Sequence, residues 1–272
     1  MVTNDDGIDS IGMHILARAM RPHGEVVIVA PDGEYSGTSA ALGALQVMQP
    51  EVHRAHVDGI DESWSVNGPP ALCVMFARLG AFGEPFDLIV SGINPGANVG
   101  RSVYHSGTVG AALTARNGNI SGVAISQAVA GVGVEGQGWE EMVINQKWDT
   151  AAAVASTFVC ALVANMPVEP VVVNINVPNV ELGELIGWRH ARVGAIPPRQ
   201  ITVAALEPMA GSQDAFHVRM GWGEPTALPD DTDGGIVEAG YVAVTYLTRL
   251  TEHDRPDMAA VEAHLTAVIP TR

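Results

Sequence analysis

Cysteine is nearly absent from this 272-residue chain, and the two present, Cys73 and Cys160, stand alone. No thiolate metal cluster and no disulfide framework can be built from them, which fits a reducing compartment. Basic residues are also scarce: 14 Lys and Arg against 30 Asp and Glu leave a formal charge of −16. Binding to duplex nucleic acid needs basic patches that displace counterions from phosphates, so that class is set aside. Long apolar runs are missing too. "VVVNINV" is among the longest, and it is too short and too polar to span a bilayer. The N-terminus has no basic region followed by an apolar stretch, so no signal peptide is expected, and the expected location is the cytoplasm.

What is present favours a large core. Hydrophobic residues make up 47% and charged residues only 16%. The 30 glycines and 17 prolines are scattered between apolar runs, as tight loops require. Short β-branched runs at Glu25–Pro31, Phe86–Asn94, "GVAISQAV" and "PVVVNINVP" read as buried parallel strands, with Met1–Thr3 as a very short first strand. Helical patterns separate them at Ile11–Met20, Pro69–Leu79, Gly107–Arg116 and Asp149–Met166, the last with Asp149 or Thr150 near its cap. This alternation predicts an α/β fold, a Rossmann-like doubly wound and mostly parallel sheet, over residues 1–180. Residues 181–272 change in texture. "GWRHARVG", "AFHVRMGWG" and "GYVAVTYLTRL" read as strands and Asp257–Val268 as a closing helix, a C-terminal extension with a β-hairpin or arm, part of it returning to the core.

Ligands of open α/β sheets bind beyond the carboxyl ends of the strands. Three such loops here hold hard oxygen donors: Asn4, Asp5 and Asp6 after the first strand; Ser36, Thr38 and Ser39 in "DGEYSGTSAALG"; and Asn94, Asn98, Ser106 and Thr108 in "SGINPGANVGRSVYHSGTVGAAL". Alone, each motif also reads as an ordinary turn or capped loop. Together they suit Mg²⁺, Mn²⁺ or Ca²⁺, with Asp5 and Asp6 supplying charge while Ser36 and Asn94 complete an oxygen shell. "SGTVGAA" resembles an anion cradle, because small residues and free N–H groups at a helix start attract phosphate. Two ionised carboxylates ~4 Å from a phosphate would repel it by ~1 kcal/mol each in water. Arg101 is the only Lys or Arg between Ser91 and Thr114, so a divalent cation is the expected neutraliser. His105 reads either as an acid for a leaving group or as a surface residue. His14 and His23 read as partnerless helix and loop residues.

At these residues the sequence resembles the SurE family of survival-protein nucleotidases. The resemblance runs through "TNDDG", "VVIVAPDGEYSGTSAAL", "VNGPPALCV", "FDLIVSGINPGANVG", "SVYHSGTVGAA", "VNINVP" and "GYVAVTYL", in the family's order. It implies a metal-dependent hydrolase that removes phosphate from nucleoside 5′- and, as a further option, 3′-monophosphates. It also implies one divalent cation per subunit, Mg²⁺ or Mn²⁺, and a swapped C-terminal arm building a homodimer or homotetramer. The implied metal ligands are Asp5, Asp6, Ser36 and Asn94, with Asp5 and Asp6 also catalytic. The implied phosphate-side residues are Asn98, Ser106, Gly107 and Thr108. Gly33, Glu34 and Tyr35 stand where the family often carries a basic residue, and His105 where a Tyr is frequent. The alternative is a non-catalytic nucleotide-binding regulatory module using the same cleft. A dinucleotide oxidoreductase lacks support, because "TNDDGIDSIG" replaces the G-x-G-x-x-G turn.

Overall fold

A computed structural model describes the chain except residues 44, 46–48, 130–142, 197–200, 213, 225, 249, 253 and 270–272. Eleven strands are described: β1 (Val2–Thr3), β2 (Val27–Pro31), β3 (Val52–Val57), β4 (Ile60–Val66), β5 (Leu88–Pro95), β6 (Ser121–Gln127), β7 (Val172–Val177), β8 (Gly187–His190), β9 (Ile201–Pro208), β10 (Phe216–Trp222) and β11 (Tyr241–Leu247). The helices are α1 (Ile11–Met20), α2 (Pro70–Arg78), α3 (Gly107–Asn117), α4 (Trp148–Ala164), α5 (Asp233–Glu238) and α6 (Ala259–Val268).

Nine strands form one sheet in the order β3-β4-β2-β1-β5-β6-β7-β11-β8, and β9 pairs with β10 separately. From β4 to β7 every neighbour is parallel. β3 and β11 run antiparallel to β4 and β7 respectively. The sheet is therefore mixed and mostly parallel, flanked by helices.

The β-branched runs form strands because both faces are covered. β2, β6 and β7 are buried at every position. On one face Met13, Leu16, Ile28, Val90, Ile125, Val159 and Ile175 join α1 and α4 to the sheet. On the other, Val29, Leu72, Val74, Ile89, Ala111 and Ala115 join α2 and α3. Each fully buried Leu or Ile in these clusters contributes roughly 1.5–3 kcal/mol of transfer free energy.

One hairpin was missed and one reading needs correction. The β3–β4 hairpin was not anticipated, since its charged and aromatic alternation hides a half-exposed edge. The cap of α4 is Lys147, with Asp149 and Thr150 in the first turn beside it, as near the cap as expected. His14 and His23 have partners: His14 Nε2 pairs with the Ile8 carbonyl and His23 Nε2 with Ser156 Oγ, both at 2.7 Å. A helix register cannot reveal either contact.

Candidate active site

The chain runs from β1 to β2 and on to β4 on one side, then enters β5 on the other side of β1 and proceeds to β6 and β7. The loops after β1 and β5 thus diverge at a switch point, where a crevice opens. Thr3 pairs in register with Ser91, which sets the turn after β1 beside the end of β5.

Asp5 and Asp6 occupy that turn, which closes through Asn4 Nδ2 donating to the Gly7 carbonyl at 3.0 Å. Gly7 adopts φ +101°, and a Cβ there would lie 3.0 Å from the Gly33 backbone. The loop after β2 is tied down by Tyr35 N–H, which donates to the Asp5 carbonyl at 2.7 Å. Ser36 N–H in turn donates to Glu34 Oε1 at 2.7 Å. Ser36 itself is exposed.

Asp5 is 2% exposed and accepts a hydrogen bond from Thr108 Oγ1 at 2.5 Å. Thr108 belongs to the first turn of α3, whose cap Ser106 accepts from Val109 N–H at 3.1 Å. Gly107 lies so close that a Cβ would stand 2.8 Å from both Cβ and Oδ2 of Asp5. The helix start therefore packs directly on the carboxylate, and its small residues are what permit the approach. Burial pushes the Asp5 carboxyl above the usual range, opposed by the Thr108 hydrogen bond.

Asp6 is different. Both its carboxylate oxygens are shut off from solvent with no hydrogen-bond donor in place. Burial, then Asp5, then Glu34 push its pKa to about 8. An unpartnered buried carboxylate is costly unless something cationic or a proton satisfies it. Asn4 Oδ1 is a further buried oxygen without a donor. This set of orphaned oxygens fits a hard divalent cation. Among the described residues no three of His, Cys, Asp and Glu form a metal cluster, so the remaining ligands would be neutral oxygens.

Asn94 ends β5 half-buried, with Nδ2 donating to the Gly96 carbonyl at 2.7 Å; its Oδ1 is not used in that bond. Ser36 stands on the loop after β2 and Asn94 near the end of β5, without a direct hydrogen bond to either carboxylate. Asn98 is engaged by the scaffold. Its N–H donates to Asn176 Oδ1 at 2.7 Å, its Nδ2 to Ser126 Oγ at 2.9 Å, and its carbonyl accepts from Asn174 Nδ2 at 2.8 Å. Asn98 thus anchors the loop to β6 and β7. His105 is exposed beside the cradle. Arg101, the lone cation of this stretch, directs Nε to the Ala195 carbonyl at 2.7 Å.

Sequence reasoning overlooked the anchors Ser126, Asn174 and Asn176. A signal was available: two asparagines at alternate positions of the apolar run "VVNINV" share one strand face, and both are fully buried.

Comparison with known proteins gives this geometry its relatives. The family profile described as survival protein SurE matches residues 1–198. The chain belongs to the SurE family. Its SurE relatives include proteins named 5′-nucleotidase SurE from Haemophilus influenzae, 33% identical over 249 residues (90% of this chain, 89% of the relative), and from Legionella pneumophila, 33% identical over 252 residues (91% and 89%). The crystal structure of the SurE protein from Aquifex aeolicus superposes with a TM-score of 0.72 at 26% identity, covering 98% of both chains. The α/β fold expected from the resemblance is therefore the one this SurE chain adopts.

Proposed function

We propose that the chain is a phosphoric monoester hydrolase, a 5′-nucleotidase that also accepts 3′-monophosphates and works with one bound Mg²⁺ or Mn²⁺. The observation that carries this reading is Asp6: a solvent-shielded carboxylate without hydrogen-bond donors, beside Asp5 and against the N-terminus of α3. The names of the curated relatives support the same activity.

Asp5 and Asp6, with Ser36 and Asn94 from the neighbouring loops, would hold the cation. When bound, it supplies positive charge for phosphate and Lewis acidity that makes water a nucleophile near neutral pH. Gly107 and Thr108 present the free amides of a helix start capped by Ser106, which favour an anion and the charge that develops on it during displacement. Thr108 orients Asp5 through its hydroxyl, and Asn98 holds the loop that leads into the cradle. Asp5 or Asp6 accepts the proton released by the attacking water.

We place the catalytic part in residues 1–180 and subunit association in residues 181–272. β9, β10 and α6 leave Val203, Leu206, Val218, Met220, Val261 and Leu265 more than half exposed, an apolar display that suits a homodimer or homotetramer. No described helix is long and apolar enough to cross a membrane. The two free cysteines fit a reducing cytoplasm.

Phosphate release from a panel of nucleoside 5′- and 3′-monophosphates, with Mg²⁺, Mn²⁺ or a chelator, tests the reading. Release that depends on added metal and stops with chelator is expected. Nucleotide binding without release would overturn it in favour of a regulatory module.

A further inference from the structure

The turn that leads into the anion cradle is held from far away in the chain. Gly100–Tyr104 forms a 3-10 turn between Asn98 and Ser106. Its first amide, Gly100 N–H, donates to Asp233 Oδ2 at 2.9 Å across 133 residues of sequence. Asp233 begins α5 and is 1% exposed. Its other oxygen, Oδ1, accepts from Gly194 N–H at 3.0 Å and from Gly234 N–H at 2.9 Å. Its own N–H donates to the Arg192 carbonyl at 2.9 Å.

One buried carboxylate thus gathers three separate segments through backbone amides. They are the turn before the cradle, the loop after β8 that leads toward the β9–β10 arm, and the start of α5. The first two also touch directly. A Cβ on Gly100 would stand 2.8 Å from the Ile196 carbonyl, and Arg101 Nε reaches the Ala195 carbonyl at 2.7 Å. Hydrogen bonds from neutral amides to a carboxylate are short and directional, so this knot transmits position better than an apolar contact would.

We propose that Asp233 is a positioning residue for the phosphate cradle. By fixing Gly100 against Gly194 and α5, it sets where Ser106, Gly107 and Thr108 stand opposite Asp5. It also makes the cradle dependent on the root of the arm. Its kinetic consequence rests on the phosphatase reading above; its structural consequence does not.

Asp233→Asn separates the parts of the knot. The amide oxygen still accepts from Gly194 and Gly234, but the NH₂ group now opposes the Gly100 N–H, donor against donor. A misplaced cradle is expected to lower kcat on a nucleoside monophosphate by about tenfold or more, while KM changes less than about threefold. The amides of Gly100, Val109 and Gly110, the last two bonded to Ser106, should exchange with deuterium at least ~10 times faster, because their local opening becomes easier. Thr232→Val is the control. It removes the cap of α5, in which Thr232 Oγ1 accepts from Gly235 N–H at 3.3 Å, without touching Gly100. It should lower the melting temperature yet leave kcat and Val109 and Gly110 exchange unchanged.

Unchanged kcat and exchange in Asp233→Asn, or a Thr232→Val variant that reproduces the kinetic loss, would overturn the proposal. If the parent releases no phosphate at all, the functional reading fails and the exchange measurement alone decides Asp233. If Asp233→Asn does not fold, Arg101→Ala cuts the adjacent tether at the surface. Faster exchange at Val109 and Gly110 then supports the proposal, and unchanged exchange refutes it.

Discussion

Replacing Asp6 with asparagine should make the metal-free protein more stable at alkaline pH while removing its function. The folded state raises the Asp6 pKa from 3.8 to about 8, chiefly through burial and then through Asp5 and Glu34. The unfolded chain releases this proton near 3.8, and the folded chain keeps it to about 8. A raised carboxylate pKa therefore contributes stability that is fully present below 3.8 and lost as pH climbs to 8. At 1.36 kcal/mol per unit, a shift of about four units corresponds to a loss of ~6 kcal/mol by pH 8.5. Asparagine matches the shape and carries no proton to lose, so the variant escapes that loss and also relieves the repulsion on Asp5. In chelator, urea unfolding followed by tryptophan fluorescence should show Asp6→Asn gaining at least ~2 kcal/mol over the parent at pH 8.5. That is a midpoint shift of ~1 M. The gain should shrink toward zero at pH 4. Adding Mg²⁺ or Mn²⁺ should stabilise the parent and not the variant, because a ligand that binds only the folded state shifts its stability by mass action. A variant no more stable than the parent at pH 8.5 in chelator would refute the reasoning, since the carboxylate would then not be an uncompensated buried charge.

Three other substitutions probe the same edge of the sheet. Gly107→Ala places a methyl 2.8 Å from Asp5 Cβ and Oδ2; it should cost ~1–3 kcal/mol in thermal denaturation and reduce phosphate release at least ~10-fold. Thr108→Val keeps the volume but removes the donor to Asp5, so activity should fall, with a stability loss of ~1–3 kcal/mol at neutral pH. Asn176→Ala strips the acceptor for Asn98 N–H and opens a cavity in β7. A loss of more than ~2 kcal/mol in denaturant midpoint analysis is expected, and near-neutrality would show that the Asn98 anchor carries no weight.

The parallel core was legible because its signal is local. Runs such as "VVIVAP" and "DLIVSGIN" are apolar on both faces, and only strands covered by helices on both sides use such runs. Boundaries moved by a residue or two, since chain ends fray under cap and turn chemistry. The β3–β4 hairpin was not legible. "VHRAHV" and "IDESWSV" carry the alternation of an edge, and their apolar content alone does not separate them from a loop. The C-terminal strands were visible as strands, and part of the extension was expected back at the core, but which strands return was not legible. β8 and β11 return to the main sheet while β10 pairs with β9 outside it, and strand pairing is a long-range choice.

The site divides in the same way. Asp5, Asp6 and the Ser106–Thr108 cradle could be listed from their places at strand ends. Their unequal states could not. Asp5 meets the Thr108 hydroxyl, Asp6 meets none, and Glu34 adds its charge from another loop. That β6 and β7 hold the N–H, carbonyl and side-chain amide nitrogen of Asn98 was not legible either. Asp233 drew no notice at all, because an Asp in "DDTDGG" looks like one more turn former.

From residue types and spacing alone came the alternation of strand and helix, the choice of oxygen donors, and the shortage of cations that calls for a metal. Hydropathy period and side-chain chemistry are properties of short stretches, so they survive without a fold. Which carboxylate is paired, and which amides lock Gly100 to Gly194, depends on groups 39 to 133 residues apart meeting at 3.0 Å or less. Only chain closure sets those distances, and desolvation and hydrogen bonding respond to distance rather than to order along the chain.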